Sequence, residues 1–136
     1  MIAPIAVTGC DIALPYPPTN NRYYRNIRGK TLISEAGRQY KQRVWLAFRK
    51  ALPGFQKLAG RLTVEVYATM PDRRRRDLDG IPKALLDSLT GLAWADDEQI
   101  DKLTIERVKV CKPGMVFVQV KTVGDGRAWG VTESGQ

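Results

Sequence analysis

Asp77 and Asp79, Lys83, and the pair Asp96-Asp97 have the types and spacing to do chemistry on a phosphate ester. Closely spaced carboxylates are hard oxygen ligands, the kind that holds Mg²⁺ or Mn²⁺. Just before them, Pro71-Asp72 leads into Arg73, Arg74, Arg75 and Arg76, a charge run on which a polyanion could dock. A protein that only binds nucleic acid gains nothing electrostatically from acids beside its anion site. One that hydrolyses a phosphodiester with metals needs both. Metal-dependent nuclease is therefore the leading reading. A nucleic-acid-binding module whose acids are structural is its rival.

Each residue also has a plainer use. Aspartate at position 79 suits a helix N-cap, Asp77 could pair with a neighbouring arginine, and Asp96-Asp97-Glu98 could be a solvated turn. The arginine run alone could be a solvated loop. Position decides in favour of chemistry, because the cations and the acids adjoin. The chain has no histidine. That excludes a Ser-His-Asp triad, a histidine-metal nuclease and a Cys₂His₂ zinc site. Proton transfer must then use carboxylate, lysine, tyrosine or a water activated by a metal.

Composition agrees with an anionic partner. The 136 residues carry 22 basic and 14 acidic side chains, a net charge of +8. Nine cations and one acid, Glu35, lie between Arg22 and Lys50, whereas eight of the acids lie between Pro71 and Asp101. The stretch Asn20-Asn21-Arg22-Tyr23-Tyr24-Arg25 interleaves amides, arginines and aromatics, a mixture suited to phosphates and unstacked bases. The tyrosines could equally be core residues in an ordered turn. Cys10 and Cys111 stand alone and read as reduced, buried thiols of a cytoplasmic protein. No apolar run is long enough for a membrane span, and Met1 to Ala6 lacks the basic start of a signal peptide.

The elements that must position these residues follow from periodicity. A first strand ends at Leu14 before Pro15, Pro17 and Pro18. Ser34 reads as the N-cap of a helix to about Ala51, with Tyr40, Val44, Ala47, Phe48 and Ala51 as its apolar stripe. Leu62 to Met70 alternates with period two, a half-buried strand, and Pro71 stops it. A second helix is capped by Asp79, has Pro82 in its first turn, and turns Ile81, Leu85, Leu89 and Leu92 inward. Asp79, Lys83 and Asp87, four apart, would then align on its solvent side. Leu103 to Val110 and Met115 to Val123 read as two strands with a phase break in the first, joined through Lys112-Pro113-Gly114 as a hairpin. The order β-α-β-α-β-β, with one parallel crossover, predicts an α+β fold: a small mixed β-sheet with two helices packed on one face. A single domain is expected over residues 1–123, with residues 124–136 as a flexible tail.

Pro17-Pro18-x-Asn20-Asn21-Arg22-Tyr23-Tyr24-Arg25, the block Pro71 to Asp79, then Lys83, Asp87-x-Leu89-Thr90 and Trp94-x-Asp96-Asp97 occur in an order that resembles the RusA family of Holliday junction resolvases. The similarity runs from about Ile12 to Val110, and the arginine–aspartate block is highly specific. The resemblance implies a homodimer that nicks four-way DNA junctions symmetrically with Mg²⁺, or Mn²⁺, in recombination and repair. It implies no membrane attachment and no small-molecule cofactor. Asp77, Asp79 and Asp97 match the family's essential acids and metal ligands, and Lys83 its important lysine. Asn20, Asn21, Arg22, Tyr23, Arg25 and Arg73 to Arg76, with Lys83, would contact DNA. A water activated by the cation would attack phosphorus in line, leaving a 5′ phosphate and a 3′ hydroxyl. Gly80 departs from the pattern, since the family usually has asparagine there.

Overall fold

The computed structural model describes residues 8–123. The expected tail, residues 124–136, therefore lies outside the described residues. Among the described residues the strands and α-helices form in chain order as β1 (Gly9–Pro15), α1 (Asn20–Tyr23), β2 (Tyr24–Ile27), β3 (Lys30–Ile33), α2 (Glu35–Ala51), β4 (Leu62–Met70), α3 (Pro82–Leu89), β5 (Ile100–Val110) and β6 (Met115–Thr122). The fold is α+β as expected, with a one-turn helix and a two-stranded ribbon that hydrophobic periodicity did not show. Both are too short to carry a period, and the ribbon is built from polar and charged residues as much as apolar ones.

Strands β1-β6-β4-β5 make the main sheet in that spatial order. β4 and β5 run parallel, whereas β6 is antiparallel to both β1 and β4. The expected β5–β6 hairpin is therefore replaced by a turn that passes over the end of β4. Gly114 makes that crossing possible. A Cβ there would come within 2.9 Å of Pro71, so the turn lies directly on the residue that opens the arginine block. The phase break in β5 is present as register shifts opposite Leu62/Thr63 and Ala68/Thr69.

One sheet face is buried. Leu62, Val64, Val66 and Ala68 of β4 sit beside Val116, Val118 and Val120 of β6, with Ile12 and Leu14 of β1, in one apolar cluster. Tyr40, Val44 and Phe48 of α2 and Ala84, Leu85 and Leu89 of α3 complete it. Each valine, leucine, isoleucine or phenylalanine among them, fully removed from water, contributes about 1.5–3 kcal/mol before entropy is counted. Ser34 caps α2 as expected, accepting from the Gly37 N–H at 3.0 Å. The stripe of α2 is narrower than the sequence implies, since Ala51 is exposed. Gly37 is buried because the chain crosses α2 there: a Cβ would lie 2.7 Å from the Tyr23 carbonyl oxygen.

The thiols differ from expectation. Both cysteines are free, but Cys111 is exposed on the turn after β5 and Cys10 is half-buried. Burial, aided by Asp11, pushes the Cys10 thiol up to about 11.

Candidate active site

β4 delivers the chain to the site. Its last residue, Met70, is buried and accepts from the Cys111 N–H at 2.9 Å, so the loop beginning at Pro71 starts from a fixed point. Within the loop the four arginines divide. Asp72 receives Arg74 at 3.0 Å and Arg76 at 2.9 Å, and these bonds, Arg76 first, hold its carboxyl well below the usual carboxylate range. Arg76 also lies over the Tyr16 ring, 5.8 Å from its centroid, and its backbone carbonyl accepts from Arg107. Arg75 by contrast is 92% exposed and only 3.8 Å at closest from Asp77. Arg73 is exposed as well.

Asp79 is not the cap of α3. It lies in a short 3-10 turn, Leu78–Gly80, and Ile81 occupies the N-cap position without a side-chain bond, followed by Pro82 at the helix start. Proline suits that position because the N–H it lacks would have had no partner within the helix and its φ is preset for helical backbone. Asp79 therefore precedes α3 instead of lying on it, while Lys83 and Asp87 within the helix do pair, at 3.7 Å.

Lys83 has Tyr24 and Asp87 as its neighbours. The Tyr24 hydroxyl stands beside its ammonium and is the main cause that raises its pKa above the ordinary lysine value; Asp87 adds to this, and Asp97 adds less. Asp87 is itself fixed, because the Tyr23 hydroxyl donates to it at 3.1 Å. Tyr23 is completely buried, which corrects its placement among the DNA-contacting residues. Its ring belongs to the frame. Burial first, and then Asp87, push its hydroxyl far above the ordinary tyrosine range.

The Asp96-Asp97 turn is assembled from the other side of α3. Trp94 is fully buried and donates its indole N–H to the Thr90 hydroxyl at 3.1 Å. Asp96 is an N-cap, accepting from the Glu98 N–H at 3.0 Å. Gln99 closes a capping box by accepting from the Ala95 and Asp96 N–H groups, while its amide donates to the Leu58 and Gly60 carbonyls. Arg61 grips Asp101 at 2.6 Å and Glu98 at 3.2 Å. Asp97 is exposed and has no ion-pair partner within bonding distance among the described residues. Neither role is legible in the sequence, since a lone glutamine or arginine carries no spacing signal.

Asp77 and Asp79 line one recess of about 260 Å³, with Tyr16, Pro17, Thr19, Arg75, Arg76 and Gly80. Five of those eight residues also line a wider groove of about 570 Å³, whose cations are Arg22, Arg43, Arg74, Arg75 and Arg76. Gln39 and Arg43 of α2, which the sequence did not single out, thus join the arginine block across the groove. Asn20 and Asn21 are exposed on α1, and Arg25 is exposed on β2.

The donor chemistry of Asp77 and Asp79 fits a hard divalent cation: both are exposed oxygen ligands on one recess, and neither is engaged in a short ion pair. Asp97 is not gathered into the same recess, and among the described residues no three potential ligands form a metal cluster. Lys83 follows Asp79 by four residues in the chain, and Asp97 is the smallest of the influences that raise its pKa.

The comparisons with known proteins fit this arrangement. The profile of the family described as endodeoxyribonuclease RusA matches residues 15–121. The chain is 39% identical over 115 residues to a crossover junction endodeoxyribonuclease RusA of Shigella sonnei, covering 84% of this chain and 95% of that protein. It is 38% identical, with the same coverage, to proteins of that name from Escherichia coli K12 and Enterobacteria phage 82. With the family profile spanning the whole arginine–aspartate block and the strands that carry it, the chain belongs to the RusA endodeoxyribonuclease family.

Proposed function

We propose that this protein is a Mg²⁺-dependent, structure-selective endonuclease that resolves four-way DNA junctions by paired symmetric nicks during recombination and repair. The observation that carries the reading is the shared wall between the Asp77/Asp79 recess and the arginine-lined groove. A phosphate lying in the groove is delivered to the acids. The relatives' name, crossover junction endodeoxyribonuclease, supplies the substrate class.

In this reading Asp77 and Asp79, joined by Asp97 from outside their recess, would hold Mg²⁺, or Mn²⁺ in its place. The bound cation would lower the pKa of a water and neutralise phosphate charge. The chain's own residues do the rest. Arg73 and Arg75, exposed and lightly committed, take backbone phosphates. Arg22 and Arg43 hold the strand in the groove. Lys83, positioned by Tyr24 and Asp87, meets the negative charge that grows on the phosphate oxygens in the transition state. Two equivalent nicks call for two equivalent sites, which a two-fold homodimer supplies most simply. Such an enzyme works in the cytoplasm, on bacterial or phage DNA.

The test is nicking of an end-labelled four-way junction with Mg²⁺, with Mn²⁺ and with EDTA, beside a linear duplex. Expected are two symmetric nicks bearing 5′ phosphates, dependent on the cation and absent from the duplex. An identical gel shift with and without the cation, and no product in either, would establish the binding module instead.

A further inference from the structure

The ribbon β2–β3 projects a face that the site as described leaves without a role. Its register sets Arg25 opposite Leu32 and Ile27 opposite Lys30. Alternate residues share a face of a strand, so Arg25, Ile27, Lys30 and Leu32 stand together on one side. The other side is turned inward at its root. Tyr24 and Ile33 pack against the core there, and the Thr31 hydroxyl donates to Asn26 further out. Arg28 and Gly29 form the tip with φ of 52° and 79°, the two positive values of a tight hairpin turn.

The outward face mixes chemistry in an unusual way. Ile27 is 37% exposed and Leu32 47%. Around them, residues 20–34 contain Arg22, Arg25, Arg28 and Lys30 and no acid, and none of these cations has an ion-pair partner among the described residues. A purely apolar partner would leave four charges stranded, and a purely ionic one would leave two large aliphatic side chains in water. A polyanion with opened, unstacked bases satisfies both. Wedging of apolar side chains between base steps is an established way for proteins to unstack and kink duplex DNA.

The ribbon is also braced. Ser34 donates its N–H to the Tyr23 carbonyl at 2.8 Å, and its hydroxyl donates to the Arg22 carbonyl. Gly37 lets α2 approach the same carbonyl of Tyr23. Tyr24, the first residue of β2, is the residue beside Lys83.

We infer that the ribbon is a branch-point wedge: Ile27 and Leu32 enter between bases opened at the centre of the junction, and Arg25, Arg28 and Lys30 hold the flanking phosphates. The inference rests on the junction-cutting reading for its substrate. Through Tyr24 it ties branch recognition to Lys83.

A junction with 2-aminopurine beside its centre, titrated with protein in EDTA, reads base unstacking without any cleavage. The wild-type chain should raise the fluorescence severalfold. The double substitution Ile27→Ser, Leu32→Ser, at exposed positions, should remove most of that rise while changing affinity by about threefold or less, since the phosphate contacts remain. In Mg²⁺ the same variant should cut the intact junction at least tenfold more slowly and recover on a junction with unpaired bases at its centre. An unchanged fluorescence rise in the variant would overturn the wedge, as would no rise with the wild type. A halved mass by light scattering would also overturn it, making the ribbon a subunit contact. Because the fluorescence is read in EDTA, a chain that opens the branch but never cuts it would refute the nuclease and keep the wedge.

Discussion

Two stretches of this chain mix acids with arginine contacts, and they are built in opposite ways. In residues 71–80 one acid is structural, Asp72, which gathers Arg74 and Arg76 and leaves Asp77 and Asp79 facing a recess. In residues 96–101 three acids are structural: Asp96 caps a turn, and Glu98 and Asp101 hold Arg61, leaving only Asp97 uncommitted. The first stretch uses arginines to shape a loop around free acids. The second uses acids to pin a loop that presents one. The lesson is that spacing nominates carboxylates, but local hydrogen bonding decides which of them remain available for a cation or a phosphate.

The sharpest way to break this comparison is to exchange charge for amide across both stretches. Asp77→Asn, Asp79→Asn and Asp97→Asn should each reduce junction nicking to background while binding stays equal or becomes tighter, because a ligand and a repulsion toward phosphate vanish together. Asp96→Asn should stay close to wild type, since asparagine caps a helical turn as well as aspartate. Nicking that survives in Asp97→Asn and fails in Asp96→Asn would reverse the assignment within the pair.

Next in size is Lys83, which lies between the two stretches. Lys83→Ala should slow single-turnover nicking by about a hundredfold or more, the usual loss for one positioned charge stabiliser. Affinity should fall far less. The bland alternative is an exposed helical ion pair with Asp87, worth only about 0.3–0.5 kcal/mol. A single-turnover rate within about threefold of wild type would support that alternative and confine the chemistry to the carboxylates.

Much of this was legible in the sequence, for identifiable reasons. β4 was readable to the residue because its strict alternation coincides with one buried and one half-buried face. α2 was readable because a capping serine precedes a stripe of buried residues four apart. The β5–β6 hairpin is a false expectation because adjacency in sequence does not require pairing, and β4 lies between the two strands. Asp79 has the sequence signature of a cap because aspartate before a helix usually is one, but here Ile81 and Pro82 begin the helix without it. Tyr23 was misplaced because its aromatic type suits bases as well as a core, and only its contact with Asp87 and its complete burial decide. The division of the arginine run could not be read at all. Consecutive residues of one type carry no pattern that says which of them Asp72 will take.

That division gives a smaller, quantitative test. Arg75→Ala should flatten the slope of log affinity against log salt by about 0.9 on duplex arms, the value of one lost phosphate contact. Arg76→Ala should leave the slope closer to wild type and lower the thermal midpoint, because its guanidinium is spent on Asp72 and on the Tyr16 ring. Equal slopes for the two variants, both flattened, would mean that DNA strips Arg76 from Asp72 on binding.

The smallest expected effect concerns Asp72 itself and separates the structural acid of the first stretch from its free neighbours. Hydrogen bonds from Arg76 and then Arg74 depress its folded-state pKa, so the folded chain binds a proton there less readily than the unfolded chain. The resulting stabilisation is therefore complete above the unfolded carboxylate value of about 3.9 and is lost as pH falls from there through the depressed folded value. The side chain is 36% exposed, and solvent screening keeps the effect modest. Asp72→Asn preserves the shape and removes the charge, so urea midpoints of the variant and the wild type isolate the titration. The wild type should be the more stable at pH 7, and the gap should narrow steadily below about pH 4. A gap that stays constant down to acid pH would mean that the clamp acts through hydrogen-bond geometry alone. The depressed carboxyl would then contribute nothing through its charge to holding the arginine loop beside Asp77 and Asp79.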